Sequence, residues 1–185
     1  TYALQSIEEI RGRLHHFQIH PPRSSKIPHT LLLDLGFNVF HEIKTKIRLS
    51  AGTTVTVCDE TLIPSQTSPR LLYTYVAYLE EVIDGDTVWV YISLGFNKWT
   101  RQKIRLRHID APELTTMAGQ RARIFVENRL QPPQFFIVKT YKSDKYDRYL
   151  ADIFYIKRSR SAEKIAAKGT FLNQEILDAG QARFV

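Results

Sequence analysis

Residues 82–113 read "VIDGDTVWVYISLGFNKWTRQKIRLRHIDAPE", and three elements are legible in them. Asp84-Gly85-Asp86 carries the residue types of a tight turn. After it, residues 87–94 are rich in β-branched and aromatic side chains, which fit a pleated, half-buried surface. Residues 102–109 predict a further strand, with Ile104 and Leu106 on one face and Arg105 and Arg107 on the other. Upstream, "LLYTYVAYLEEVI" at 71–83 reads as the strand that leads into the turn.

Beyond this block, Ala118, Ala122, Phe125, Val126 and Leu130 form the apolar stripe of a helix over 118–130. Gln131-Pro132-Pro133 stops it, because proline removes a donor and clashes with the preceding turn. Strands follow at 134–141 and 149–156, and a last helix at 171–179 ends at Gly180. The order β-β-β-α-β-β-α predicts a mainly β, α+β fold: a five-stranded OB-fold barrel with helices packed on it.

The N-terminal part is less regular. Leu4, Ile7, Ile10 and Leu14 have helical spacing, predicting a helix over 3–14. Residues 20–25 read as loop, 30–35 and 44–49 as a hairpin pair, and 53–57 as a strand. "LIPSQTSP" at 62–69 reads as a linker. The chain thus divides into an N-terminal segment, 1–70, with its linker at about 59–70, and a barrel domain, 71–185.

A phrase recurs across that division. "LGFN" stands at 35–38 and 94–97, and "KIRL" at 46–49 and 103–106. The first copy places Arg48 where the second has Arg105. Matched on these blocks, Ile27 stands opposite Asp86, Thr53 opposite Asp110 and Thr56 opposite Glu113. Residues 12–58 therefore read as a degenerate partial repeat of the same hairpin, stripped of its acids. Its basic residues offer a phosphate grip, but packing against the barrel is the favoured role.

Composition narrows the partner. There are 26 Lys and Arg against 19 Asp and Glu, and the net charge of +7 with a pI near 9.5 favours an anionic partner, most simply nucleic acid. No apolar run is long enough for a membrane-spanning helix. Cys58 is the lone cysteine, which excludes an internal disulfide and a thiolate zinc site. The chain opens at Thr1 with neither a methionine nor a signal-like apolar stretch, which is compatible with a trimmed chain whose targeting peptide has been removed, and localisation and oligomeric state are not legible in it.

Three clusters carry possible chemistry: 84–87, 104–113 and 144–148. Asp86, Asp110 and Glu113 are hard oxygen donors suited to Ca²⁺ or Mg²⁺. A cation so held would polarise a phosphate, and Glu113 would deprotonate or orient water. Arg105 and Arg148 can each fork onto a phosphate and stabilise the charge of its transition state. Taken singly, each cluster also reads as an ordinary polar turn. His15, His16 and His20 read as surface residues. Tyr73 and Tyr75 share a face that suits base stacking, or packing against the repeat. "KRSRS" at 157–161 reads either as a solvated tip or as a lead-in for DNA.

Taken together and in this order, "VIDGDTVWV", "IRLRHIDAPE" and "DKYDRYLADIF" resemble the staphylococcal nuclease (thermonuclease) family over about residues 74–185. The resemblance implies a Ca²⁺-dependent phosphodiesterase on an OB-fold, cutting DNA and RNA with little base preference; Mg²⁺ or Mn²⁺ is less favoured. It implies Asp86, Asp110 and the Ala111 carbonyl as metal ligands, with Asp84 beside them but not ligating. Glu113 would be the base, Arg105 and Arg148 the phosphate clamps, and Lys145 and Tyr146 nucleotide contacts. The loop "LTTMAGQ" is shorter than the family's lysine-bearing loop, and tyrosines that line the family's base pocket have no counterpart before Val185. A barrel that binds nucleic acid without cutting it is the alternative.

Overall fold

The computed structural model describes residues 5–20, 30–44, 49–59, 61–143, 145 and 148–185. An antiparallel sheet comes first, of β1 (His16–His20), β2 (Thr30–Asp34), β3 (Phe40–Lys44), β4 (Thr54–Cys58) and β5 (Thr61–Pro64), in the order β3-β2-β1-β4-β5. A short 3-10 turn, Pro69–Leu71, leads to β6 (Thr74–Asp84), β7 (Thr87–Gly95) and β8 (Lys98–Leu106). Then come β9 (Ile109–Asp110), α1 (Met117–Leu130), β10 (Phe135–Ser143) and β11 (Tyr149–Tyr155). The chain finishes with α2 (Ala162–Lys168), β12 (Thr170–Phe171), α3 (Leu172–Asp178) and β13 (Arg183–Phe184).

Strands β10-β6-β7-β8-β11 form one sheet, and β10 also pairs with β11, which closes it into a five-stranded barrel. The closing strand β11 runs parallel to β8, with Tyr149 opposite Ile104 and Leu150 opposite Arg105. This is the OB-fold expected from the element order. Val88, Val90, Ile92 and Leu94 alternate inward along β7, each no more than 1% exposed. Burying each contributes about 1.5–3 kcal/mol.

On β6 the inward positions change parity. Ala77 and Leu79 point inward, and after a register shift between Leu79 and Glu81 the inward residue is Val82. An extra residue at such a bulge re-aims every side chain after it. A second shift, between Val82 and Asp84, precedes the Asp84-Gly85-Asp86 turn.

The N-terminal sheet repeats the strand order of the barrel. Read as β8-β7-β6-β10-β11, the barrel matches β3-β2-β1-β4-β5 strand for strand, but no β3–β5 pairing closes the first sheet among the described residues. The recurring "LGFN" adopts one conformation twice. Gly36, Phe37 and Asn38 have φ of 84°, 55° and 57°; Gly95, Phe96 and Asn97 have 82°, 53° and 57°. Three successive residues in the left-handed region explain the glycine and the asparagine, which tolerate it best.

The two sheets share one hydrophobic cluster. Phe17 packs on Phe96, and Phe37 meets Tyr75 and Tyr149. The tyrosine face expected at Tyr73 and Tyr75 does pack against the first sheet: Tyr73 Oη donates to Asp34 at 2.8 Å and Tyr75 Oη to the Leu35 carbonyl at 2.8 Å.

Several expectations fail for physical reasons. Residues 5–13 form an extended strap, not the helix expected over 3–14. Ile7 and Ile10 are still buried, but the strap's backbone groups bond across the molecule: Ile7 N–H to Gln174 Oε1, and Glu8 C=O from Arg107. Those long-range partners replace the intrahelical ones. Within the expected linker, residues 61–64 pair with β4 as β5 and bury Leu62. The strand that pairs with β2 is 40–44; of the expected 44–49, residues 45–48 lie outside the described residues. In the basic stretch after 157, Ser161 caps α2 by accepting from the Lys164 N–H, and Ile165 anchors it in the core. The loop at 20–25, apart from His20, and Ile27 and Arg48 of the repeat lie outside the described residues.

A polar node binds the barrel to α3. Asp152 is fully buried and accepts from Arg107 at 2.9 and 2.8 Å, Tyr141 Oη at 2.7 Å and Asn173 Nδ2 at 3.2 Å. Asn173 also donates to the carbonyls of Arg107 and Ala151 and accepts from Ile153 N–H. Burial raises the Asp152 carboxyl against the pull of Arg107 and Tyr141.

Candidate active site

The end of β6, the end of β8 and the turn before α1 meet at one rim of the barrel. Gly85 makes this possible: a Cβ there would lie 2.7 Å from Ala122 Cβ on α1 and 2.8 Å from Ala111 Cβ. Only a residue without a side chain lets the acidic turn, the helix and the 110–113 segment close together.

Asp86 is 3% exposed and accepts from three donors. Its Oδ1 takes Arg105 Nη1 at 2.6 Å and Thr87 Oγ1 at 2.8 Å, and its Oδ2 takes Ala111 N–H at 2.7 Å. Burial and Asp84 push the Asp86 carboxyl up to about 6, against the bonds from Ala111 and Thr87. That leaves it ionised at neutral pH, as the short contact to a guanidinium also requires. Asp84 accepts the Asp86 N–H at 3.1 Å and so shapes the turn.

Arg105 stands between the two aspartates. It is positioned because Ile104 and Leu106, on either side of it in β8, point into the core. Its Nη2 donates to the Ile109 carbonyl at 3.1 Å and to Asp110 Oδ1 at 3.3 Å. Asp110 receives a second cation at Oδ2, from Arg183 Nε at 2.8 Å and Nη2 at 2.6 Å. Arg183 reaches it because β13 pairs with β9, Arg183 opposite Asp110. Partial burial raises the Asp110 carboxyl, but Arg183 and Arg105 together hold it below its usual value.

Glu113 lies beyond Pro112 with its side chain exposed. The start of α1 fixes its backbone: Thr116 donates to the Glu113 carbonyl through its N–H at 2.9 Å and its Oγ1 at 2.7 Å. The same Oγ1 caps the helix by accepting from Gly119 N–H at 3.0 Å. A Cβ on Gly119 would come within 2.0 Å of the Glu113 carbonyl oxygen. Residues 110–113 and 180–183 border an open cavity of about 520 Å³.

The structure therefore brings together Asp84, Asp86, Arg105, Asp110 and the Ala111 backbone, with Glu113 on the adjoining turn. Arg148 directly precedes β11, whose first residue faces Ile104, so it stands at the start of the strand beside Arg105. Lys145 is exposed on the same hairpin; Tyr146 lies outside the described residues. Among the described residues, no group of three His, Cys, Asp or Glu is close enough to hold a metal ion. Two hard carboxylates share one cation here, and the third acid stands apart.

Sequence reasoning passed over Arg183, for which no local pattern exists, and over Thr116 and Gly119, which spacing as a cap could have flagged. It placed Arg107 on the face of Arg105 without foreseeing its buried partner Asp152. His16 and His20 make no metal site: His16 Nδ1 bonds the Leu14 carbonyl at 2.7 Å, and the His20 ring packs on Phe40. No helix among the described residues is long and apolar enough to cross a membrane.

No curated protein matches the chain. A family profile does, over residues 103–185, taking in Arg105, Asp110, Glu113, Lys145, Tyr146 and Arg148. Asp84 and Asp86 precede the matched span but belong to the same closed barrel through β6 and β7. The barrel and the order of its segments agree with this match: residues 103–185 are similar to the family described as staphylococcal nuclease homologue.

Proposed function

We propose that the chain is a metal-dependent phosphodiesterase that hydrolyses DNA, RNA or both with low sequence specificity, and that its cation is Ca²⁺. The observation that carries this reading is Arg105 held between Asp86 and Asp110, with Glu113 exposed one turn away. Asp86, Asp110 and the Ala111 carbonyl are the oxygens that would hold the cation, a donor set that fits a hard ion. When bound, the cation supplies positive charge that polarises the phosphodiester.

The side chains supply the rest. Glu113, exposed and not gathered with the aspartates, takes a proton from the attacking water at a carboxylate oxygen. Arg105 and Arg148 donate to the phosphoryl oxygens as negative charge builds on them. Lys145, on the same hairpin as Arg148, adds charge towards the nucleotide. Digestion of single-stranded and plasmid DNA with Ca²⁺, against a parallel reaction in EGTA, tests this reading. Cleavage dependent on Ca²⁺ is expected, and Glu113→Gln lowers turnover by about a hundredfold or more while binding persists. Equal turnover by that variant removes Glu113 from the role of base.

One observation favours a second reading, nucleic-acid binding without cleavage. Asp110 is claimed on both oxygens by arginines, and the three acids do not converge. Salt-sensitive binding with no product under any divalent cation would select it.

A further inference from the structure

Between the N-terminal sheet and the barrel lies a cavity of about 570 Å³ that none of Asp86, Arg105, Asp110 or Glu113 lines. That volume is typical of a small-molecule site. Its wall includes the first "LGFN" turn and the start of β3 on one side, β10 and the first residue of β11 on the other, and Pro69, Arg70 and Tyr73 from the segment between the sheets. We propose that this cavity is a second binding site for a nucleotide unit, its base among the rings of Phe37, Phe40 and Tyr149 and its phosphate on Lys139, Arg70 and Lys142.

Lys139 is the central observation. The residue is 4% exposed, yet its ammonium makes one hydrogen bond among the described residues, to the neighbouring Thr140 carbonyl at 3.0 Å. An ammonium has three donors. Two are left in a buried place, where unused polar groups are costly. The nearest acid does not absorb them, because Asp152 is taken by Arg107, Tyr141 and Asn173. Lys139 instead lies over the Tyr141 ring at 4.3 Å, a contact that leaves its donors open. Arg70, which is paired with Glu8 on its exposed side, and Lys142 bring two more cations to the rim.

Among the described residues the one acid in the lining, Asp34, is occupied by the Tyr73 hydroxyl and the Gly36 N–H, each at 2.8 Å. The lining thus carries an excess of positive charge beside aromatic faces. A phosphate alone would not use the rings, and an apolar ligand would leave the ammonium unpaired. A nucleotide satisfies both. In the chain, Lys142 and Tyr149 stand on either side of the segment that carries Lys145 and Arg148.

The inference rests on the reading of the chain as acting on nucleic acid only for the source of the nucleotide. The test is fluorescence anisotropy of a labelled hexadeoxynucleotide with the whole chain in EGTA, where cleavage is suppressed. Phe40→Ala, Lys142→Ala and Lys139→Met are compared with Lys164→Ala, an exposed lysine on α2 away from the cavity, and circular dichroism verifies folding. Each cavity variant is expected to weaken binding about tenfold, the loss of one stacked base or phosphate contact, while Lys164→Ala binds as the native chain does. Competition by free deoxyadenosine monophosphate identifies a free nucleotide as the ligand; binding of the strand alone identifies nucleic acid. Folded cavity variants that all bind within twofold of native overturn the proposal. Cleavage with Ca²⁺ is scored separately, so loss of the nuclease reading and loss of this site give different results.

Discussion

Replacing Lys139 by Met should stabilise the protein at neutral pH. Burial lowers the Lys139 ammonium from 10.5 to about 8; Arg107 and Arg70 act in the same direction and Asp152 opposes them. At about 1.4 kcal/mol per pH unit, that fall means the folded state bears a cost of about 3.5 kcal/mol to keep the charge at pH 7. Methionine fills similar volume without a charge, and Asp152 keeps Arg107, Tyr141 and Asn173. The sign of the pH dependence follows. Between pH 8 and 10.5 the unfolded chain binds the proton that the folded chain has released, so native stability rises with pH through that window. Above about pH 10 the buried tyrosines reverse the trend, since Tyr73, raised to about 12, resists ionisation that the unfolded chain permits. Urea unfolding of both proteins at pH 7 and 9.5 measures this. The variant should be more stable by about 3.5 kcal/mol at pH 7, and the gap should shrink to about 1.4 kcal/mol by pH 9.5. An equal or less stable variant at pH 7, or a gap that does not change with pH, refutes the argument.

Three further outcomes are expected. Arg107→Leu leaves Asp152 buried without its cation and should cost about 3–5 kcal/mol by denaturant unfolding; adding Asp152→Asn should recover part of that loss. Gly119→Ala forces a Cβ to within 2.0 Å of the Glu113 carbonyl oxygen, so it should destabilise by about 1–3 kcal/mol in thermal melts and displace Glu113. Arg183→Gln removes one of the two cations on Asp110, so its carboxyl should titrate closer to the ordinary range in a carbon NMR titration. Because the paired carboxyl is depressed, the stability it lends is present above the unfolded value and lost as pH falls through the folded one. The variant should therefore lose less stability on acidification than the native chain.

How far the sequence revealed this molecule depends on how local each signal was. The "LGFN" turns carry their conformation in four residues, and the strands around Val88–Leu94 and Ile104–Leu106 declare their buried faces by alternation. Helix α1 was legible from Ala122, Val126 and Leu130. The strap at 5–13 was not, because Ile7 and Ile10 satisfy helical spacing and an extended path alike. The choice is made by Gln174 and Arg107, more than 90 residues away. Helix α2 hid in a basic stretch because one isoleucine holds it. At the candidate site, Asp86, Arg105 and Asp110 stand together as the motif order suggested. Arg183 enters through the pairing of β13 with β9, a register no local pattern encodes.

The strap also bears on the order in which the chain can be assembled during synthesis. Ile7 bonds a glutamine 167 residues later, and Arg11 donates to the carbonyls of Ala166 and Gly169. These partners leave the ribosome long after the strap does, and contacts of such sequence separation form late and slowly. Ile7 therefore lacks this partner until α3 is in place, and the first sheet shares a core whose other half is still unmade. For this chain the strap at 5–13 is secured late, although it is made early.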